Sequence, residues 1–324
     1  KIAGELTITE PISVRKWFVN SQNNITWTKK GQIGIVDLYY AQDGNNFDPD
    51  AFASALAVNR TYRWTIPDQT GMVSPVAKIM IMDRNDSSTS NTSAAFGVLP
   101  RFNITAPVSN EKLLANRNYV INWTTYGKTP AVNISYSTDN FTGPGTHSVC
   151  SSVEDLGCYT WMVPDDLSNN VSNVKVRVAY SEDNYSNCNS SAFKIAPGYN
   201  VTSPVNWLSD KWRISTVRKI NWTSSSANVD TVKIYYSTNG GGIYNAICET
   251  ANNTGAANAT RTYNWTVTDP VTNSFRVKII DDLNGVTAEN TEDSKIMGFF
   301  NLTYPNGGQT LTVNDSLTIS WGYA

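Results

Sequence analysis

"TYRWTIPD" occupies Thr61–Asp68, "CYTWMVPD" Cys158–Asp165 and "TYNWTVTD" Thr262–Asp269. One Tyr-x-Trp-x-aliphatic stretch thus returns three times in a single chain, and its surroundings return with it. "NITWT" (Asn24–Thr28) is echoed by "INWTT" (Ile121–Thr125), "INWTS" (Ile220–Ser224) and "ISWGY" (Ile319–Tyr323). "DLYYA" (Asp37–Ala41) is echoed by "NISYS" (Asn133–Ser137) and "KIYYS" (Lys233–Ser237). Pro11, Pro107, Pro204 and Pro305 head successive units, a period of about 98 residues.

Within each unit the apolar residues alternate with period two, the mark of half-buried strands. Tyr62, Trp64 and Ile66 share one side of their strand, as do Ile25 with Trp27, and Val36 with Leu38 and Tyr40. About seven such strands fit each unit, separated by Gly/Asn/Asp/Ser turns. The expectation is an all-β fold of tandem immunoglobulin-like β-sandwich domains in a linear array. The recurring tryptophans then fill the space between sheets about 10 Å apart: Trp27 with Trp64, Trp123 with Trp161, and Trp222 with Trp265. Pro67–Asp68 and Pro164–Asp165 are read as strand terminators, since proline cannot donate to the ladder. The third unit has Thr268–Asp269 there.

"KIAGELTITEP" at the start aligns without gaps to "KIMGFFNLTYP" at Lys295–Pro305. We therefore expect residues 1–6 to be the last strand of a preceding repeat. Ig-like repeats follow at 7–102, 103–199 and 200–300, and the start of a partial repeat at 301–324. That organisation suggests a window from a longer array. The rival expectation is that the partial C-terminal unit docks into another subunit, because an incomplete sandwich leaves an open edge. Joining segments such as "AFGVLPRFNITAP" (Ala95–Pro107) hold few glycines, which favours semi-rigid connections. "DPDAFASALAVN" (Asp48–Asn59) is Ala-rich and reads as a short helix or turn over the first sandwich.

Composition narrows the function. Apolar residues make up 40% of the 324, enough for real cores, and charged residues only 16% with a net charge of −2. No basic run marks a nucleic-acid partner, and no apolar stretch of membrane-spanning length is present. The polar residues are mainly Asn, Ser and Thr. Eighteen asparagines stand in N-x-S/T sequons: Asn24, Asn59, Asn85, Asn91, Asn103, Asn122, Asn133, Asn140, Asn170, Asn184, Asn189, Asn200, Asn221, Asn252, Asn258, Asn264, Asn301 and Asn314. Alternation generates such triplets by itself on an Asn/Thr-rich strand face. Their number is about twice our composition-based estimate, which favours N-glycosylation in an exported protein. In "NWT" an inward Trp leaves Asn and Thr outward.

The four cysteines, Cys150, Cys158, Cys188 and Cys248, lack zinc-like spacing and are disulfide candidates. Of three pairings the favoured one joins Cys150 to Cys158 and Cys188 to Cys248. The alternative leaves Cys248 free or bonded elsewhere.

The unit's pattern is a Pro near the start, an aromatic ten residues before I-x-W-T, an aliphatic-Tyr strand, Y-x-W-x-hydrophobic-P, and S-x-F-x-I. It appears here as Trp17, Trp27, Tyr40, "YRWTIP" and "AAFGV"; as Leu113, Trp123, Tyr136, "YTWMVP" and "SAFKI"; and as Trp212, Trp222, Tyr236, "YNWTV" and, loosely, "KIMGFF". It resembles the KNH-like immunoglobulin-type domain of yeast cell-wall β-1,6-glucan assembly proteins and of many exported bacterial and archaeal surface proteins. The resemblance implies an extracellular or cell-wall location and brings no catalytic residues.

Chemistry is sparse. The one histidine, His147, lies in "GPGTHSVC" with no Ser/Asp partner pattern, so neither it nor any paired carboxylates mark an enzyme. The turns Asp83–Asp86, Ser181–Asp183 and Asp281–Asn284 close equivalent strands. Calcium is the one cofactor such oxygen-rich turns would bind, against ordinary Asx-turn chemistry. Tyr39, Tyr235 and Trp207 are the candidates for stacking on sugars. The two tyrosines alternate out of phase with the core, and Trp207 is extra to the repeat. The expected function is therefore a non-enzymatic structural segment of an extracellular glycosylated fibre, stalk or surface layer. Its expected partners are neighbouring copies of itself. The alternative is a carbohydrate-binding adhesin module for cell-wall polysaccharide.

Overall fold

The computed structural model describes residues 4–165, 173–206, 208–268 and 270–323. The first repeat holds β1 (Glu5–Glu10), β2 (Lys16–Phe18), β3 (Gln22–Lys30), β4 (Ile35–Ala41), β5 (Ala53–Leu56), β6 (Thr61–Thr65), β7 (Ser74–Asp83), β8 (Asp86–Thr92) and β9 (Phe96–Leu99). The second holds β10 (Arg101–Ala106), β11 (Lys112–Leu114), β12 (Asn118–Tyr126), β13 (Ala131–Ser137), β14 (Thr146–Glu154), β15 (Cys158–Met162), β16 (Lys175–Tyr180), β17 (Asn187–Asn189) and β18 (Lys194–Ala196). The third holds β19 (Tyr199–Ser203), β20 (Lys211–Arg213), β21 (Val217–Ser224), β22 (Thr231–Ser237), β23 (Asn245–Asn252), β24 (Thr260–Thr266), β25 (Thr272–Asp281), β26 (Val286–Glu289) and β27 (Ser294–Met297). β28 (Phe300–Tyr304) and β29 (Ser320–Tyr323) form a last hairpin.

The chain divides into two compact units. One comprises Lys1–Glu111, Val120–Trp161 and Asn173–Phe193; the other comprises Lys112–Tyr119, Met162–Ser172 and Lys194–Ala324. In the first unit, β1, β3 and β6 make one sheet. The facing sheet runs β2-β9-β7-β4-β5, with β8 also paired to β7. β2 runs parallel to β9, so the opening segment of the repeat changes sheets and closes against its last strand. That is the immunoglobulin-type sandwich. The same unit repeats the plan with β10-β12-β15 and β14-β13-β16-β17. In the second unit β11 runs parallel to β18, and β19-β21-β24 faces β20-β27-β25-β22-β23.

Each first strand starts one or two residues before its expected boundary, because pairing with the tryptophan strand extends further. Glu5 pairs with Lys30, Arg101 with Tyr126, Tyr199 with Ser224 and Phe300 with Tyr323. Glu5 and Leu6 thus belong to the first repeat's own sheet. A bulge then recurs at Ile8/Glu10, Ile104/Ala106 and Val201/Ser203, directly before the head prolines, which follow cis bonds. The Ala-rich stretch does not become a helix. Ala53–Leu56 pairs with β4 as an edge strand, and only Ala57–Asn59 makes a 3-10 turn.

The six strand tryptophans are all buried, the most exposed at 7%. In the first repeat Trp64 stands edge-on to Trp17 at 6.2 Å and tilted to Tyr40 at 5.6 Å, joining both sheets. Tyr136, Trp161 and Phe193 make the equivalent chain in the second repeat. Tyr236, Trp265, Trp212 and Phe275 make it in the third.

Candidate functional site

The residues that recur without entering a core are the place to look for function. Asp68 and Asp165, read above as the ends of strands, do more than end them. In the first unit Asp68 Oδ1 accepts the backbone N–H of Gly127, just after the next repeat's tryptophan strand, at 2.7 Å. Gly127 has φ +79, and a Cβ there would stand 2.6 Å from Val19 and 2.9 Å from Val73. Only glycine allows these two repeats to close so tightly. In the second unit Asp165 does the same work with more bonds. Its Oδ1 accepts from Ser226 Oγ at 2.6 Å and its Oδ2 from Ala227 N at 2.7 Å, while its carbonyl accepts from Asn228 Nδ2 at 2.8 Å.

A second tie accompanies each aspartate. Lys16 opens β2 and Lys112 opens β11, so both occupy one repeat position. In the first unit Lys16 Nζ meets Asp183 Oδ2 at 2.6 Å and sits 5.0 Å from the Tyr185 ring, which stacks on Phe18 at 6.0 Å. Ser186 Oγ donates to Pro100 O beside it. Burial raises the Asp183 pKa, but the Lys16 bond and charge leave it below the ordinary carboxylate value. In the second unit Lys112 Nζ donates to Gly285 O at 2.8 Å and Lys194 Nζ to Asn284 O at 3.3 Å. Asn116 Nδ2 adds a bond to Ser225 O at 2.8 Å. Each junction is therefore a two-point clasp: a strand-end aspartate to the loop after the tryptophan strand, and a strand-head lysine to a hairpin turn.

The turns proposed for calcium also make local contacts. Asp183 Oδ1 caps Tyr185 N and its other oxygen faces Lys16. Asp281 accepts from Asn284 N, Asn284 Nδ2 and Tyr199 OH, and Asp83 caps Asn85 N. Among the described residues no group of three His, Cys, Asp or Glu stands together to hold a metal.

Two of the three sugar-stacking candidates are described, one in each unit. Tyr39 is half-buried on β4. Tyr235 is half-buried on β22, its hydroxyl donating to Glu249 at 2.7 Å beside the Lys233 ammonium. Trp207 lies outside the described residues. His147 lies over Tyr136, ring centroids 5.0 Å apart.

The described sequon asparagines are exposed except Asn91, Asn122, Asn133 and Asn221, which are half-buried; Asn170 lies outside the described residues. Several commit Oδ1 as an acceptor, Asn133 to Ser152 N and Asn252 to Thr254 N.

Cys150, Cys158, Cys188 and Cys248 stand as free thiols in this structure. Cys150 sits on β14 opposite Ile134, whereas Cys158 begins β15 in the other sheet. Burial pushes the Cys150 thiol above its usual value, against bonds from Ile134 and Tyr159.

No family model matches the sequence, and no curated protein matches it. Solved structures do. An ICAM-5 D1–D4 ectodomain fragment is 11% identical, with 90% of this chain and 76% of that one covered at a TM-score of 0.31. A tetra-tandem repeat from the extending region of a large adhesion protein is 14% identical, with 93% and 77% covered at 0.27. Clostridium thermocellum CbhA fibronectin(III)-like modules are 18% identical, with 59% and 92% covered at 0.19. At such scores the likeness carries no argument, and the fold rests on the ladders above.

Proposed function

We infer that the chain is a non-enzymatic structural repeat segment of an extracellular, glycosylated fibre, stalk or surface layer, built from KNH-like immunoglobulin-type domains. The observation that carries this reading is the clasp. The same strand-end aspartate and strand-head lysine tie successive repeats in both units. A chain of beads needs no such fastening to fold, since each repeat has its own aromatic core. Fastening serves a part that must keep its joints under load. Sequon asparagines that are exposed or half-buried are compatible with a glycan coat that shields the strands from proteases. The test is negative-stain imaging of native material combined with intact-mass measurement. Filaments whose repeat matches one domain, with a glycan mass increment, support the reading. Dispersed short particles of unmodified mass overturn it.

A second reading, a carbohydrate-binding adhesin, is favoured by Tyr39 and Tyr235 standing half-exposed and out of phase with the core. Saturable binding on a glycan array, abolished by Tyr235→Ala, would support it; a blank array removes it.

A further inference from the structure

A cleft of about 510 Å³ opens beside Asp68 in the first unit, its lining including Trp123, Thr125, Lys128, Asp155 and Gly157. Gly157, with φ +76, receives the Trp123 N–H at its carbonyl. It lies four residues before Trp161. The residue four before Trp265 is Arg261, which lies opposite Trp222. The two positions are counterparts in the repeat. Arg261 is only 4% exposed. Its guanidinium donates to the carbonyl oxygens of Ala259 at 2.6 Å, Asn253 at 3.0 Å, Gly255 at 3.0 Å and Ser226 at 3.4 Å. The third repeat thus carries a guanidinium of its own where the second repeat has glycine and open space.

The partner of the core tryptophan changes in the compensating sense. Trp222 Nε1 donates to Asn253 Oδ1, a neutral amide, at 2.8 Å. Trp123 Nε1 donates to Asp155 Oδ1, a carboxylate, at 2.8 Å. Between these two repeats, the one with the internal cation has a neutral acceptor and the one without it has a charged acceptor; in the first repeat the counterpart Arg60 is exposed and Trp27 Nε1 donates to the Ala57 carbonyl oxygen. The charged groups of the cleft are Asp68, Asp155 and Lys128, two negative and one positive. Thr125 Oγ1, also in the lining, is buried and finds no hydrogen-bond partner among the described residues.

We propose that this cleft receives an arginine side chain from a neighbouring protein chain, supplying in trans the guanidinium that Arg261 supplies in cis. Arginine fits better than lysine because the cleft offers several carboxylate and hydroxyl acceptors, and the planar guanidinium fork can bond more than one of them at once. The test titrates the full-length chain with L-arginine amide and follows the Trp123 indole N–H by NMR. The expected result is a saturable shift at that resonance, with lysine amide binding several-fold more weakly. Asp155→Asn keeps an acceptor for the indole, as Asn253 does, and should weaken binding about tenfold. Lys128→Gln, on an exposed side chain, should tighten it two- to threefold or so. The proposal is overturned if the Trp123 resonance stays still, or if lysine amide or calcium chloride alone moves it equally. An unchanged affinity in Lys128→Gln overturns it too, and keeps the question decidable should Asp155→Asn fail to fold.

Discussion

The second and third repeats share one strand plan and one set of buried aromatics, yet they solve the same local problem differently. Behind the tryptophan of the first sheet, the third repeat closes its interior with Arg261 and Asn253. The second leaves Gly157 and Asp155 at an open cleft. The junctions differ in the same spirit. Asp165 in the second unit accepts from Ser226 Oγ and Ala227 N, whereas Asp68 in the first accepts one backbone N–H against a glycine seat. Core positions repeat because any sandwich needs them. The polar positions around the cores vary, because each need satisfy only its own neighbours.

The largest effect should come from the cores. Trp222→Ala and Trp123→Ala should each destabilise by about 3–5 kcal/mol in urea unfolding. Trp222→Ala should be the worse, since that ring is fully enclosed and the partner it strips, Asn253, is itself buried, whereas Asp155 is half-exposed. Equal losses would mean that the two interiors are equivalent. Next comes Arg261→Ala. It leaves four inward carbonyls without their donor, and a loss of about 2–3 kcal/mol confined to the third repeat is expected. A loss below about 0.5 kcal/mol would show the guanidinium to be a bystander.

The clasps come third. Asp165→Ala should cost roughly 2 kcal/mol and Asp68→Ala roughly 1, in proportion to the bonds each makes. Hydrogen exchange at Ala227 and Gly127 reports each junction separately, and the order would be reversed if glycine packing rather than bonding dominated. The smallest effect is acid sensitivity. Asp183 has its pKa lowered in the folded chain, so its contribution is present above the ordinary carboxylate value and is lost as pH falls through the depressed one. This partly exposed pair is worth under about 1 kcal/mol after screening. Between neutral and strongly acidic pH the Tyr185 ring signals should move as Lys16 lets go. The Lys112 and Lys194 ammonium groups donate to carbonyl oxygens rather than to a carboxylate, so those ties should persist over the same range. Coincident behaviour in both junctions would contradict this account.

The repeat, the strand alternation and the buried tryptophans were all legible in the residues, because two-residue periodicity and large apolar rings leave a sandwich few alternatives. Fold class and core follow from Tyr62, Trp64 and Ile66 once their copies are found. The aspartate after those strands was visible too, but its role was not. A Pro-Asp pair reads as a stop signal, and nothing in it says that its oxygens reach Gly127 or Ala227 some sixty residues away. The same holds for Lys16 and Lys112, ordinary surface lysines until a neighbour's turn meets them. Local sequence sets which way a side chain points along its strand. Which distant group it then meets depends on how whole sheets are stacked, and that is settled by tertiary packing.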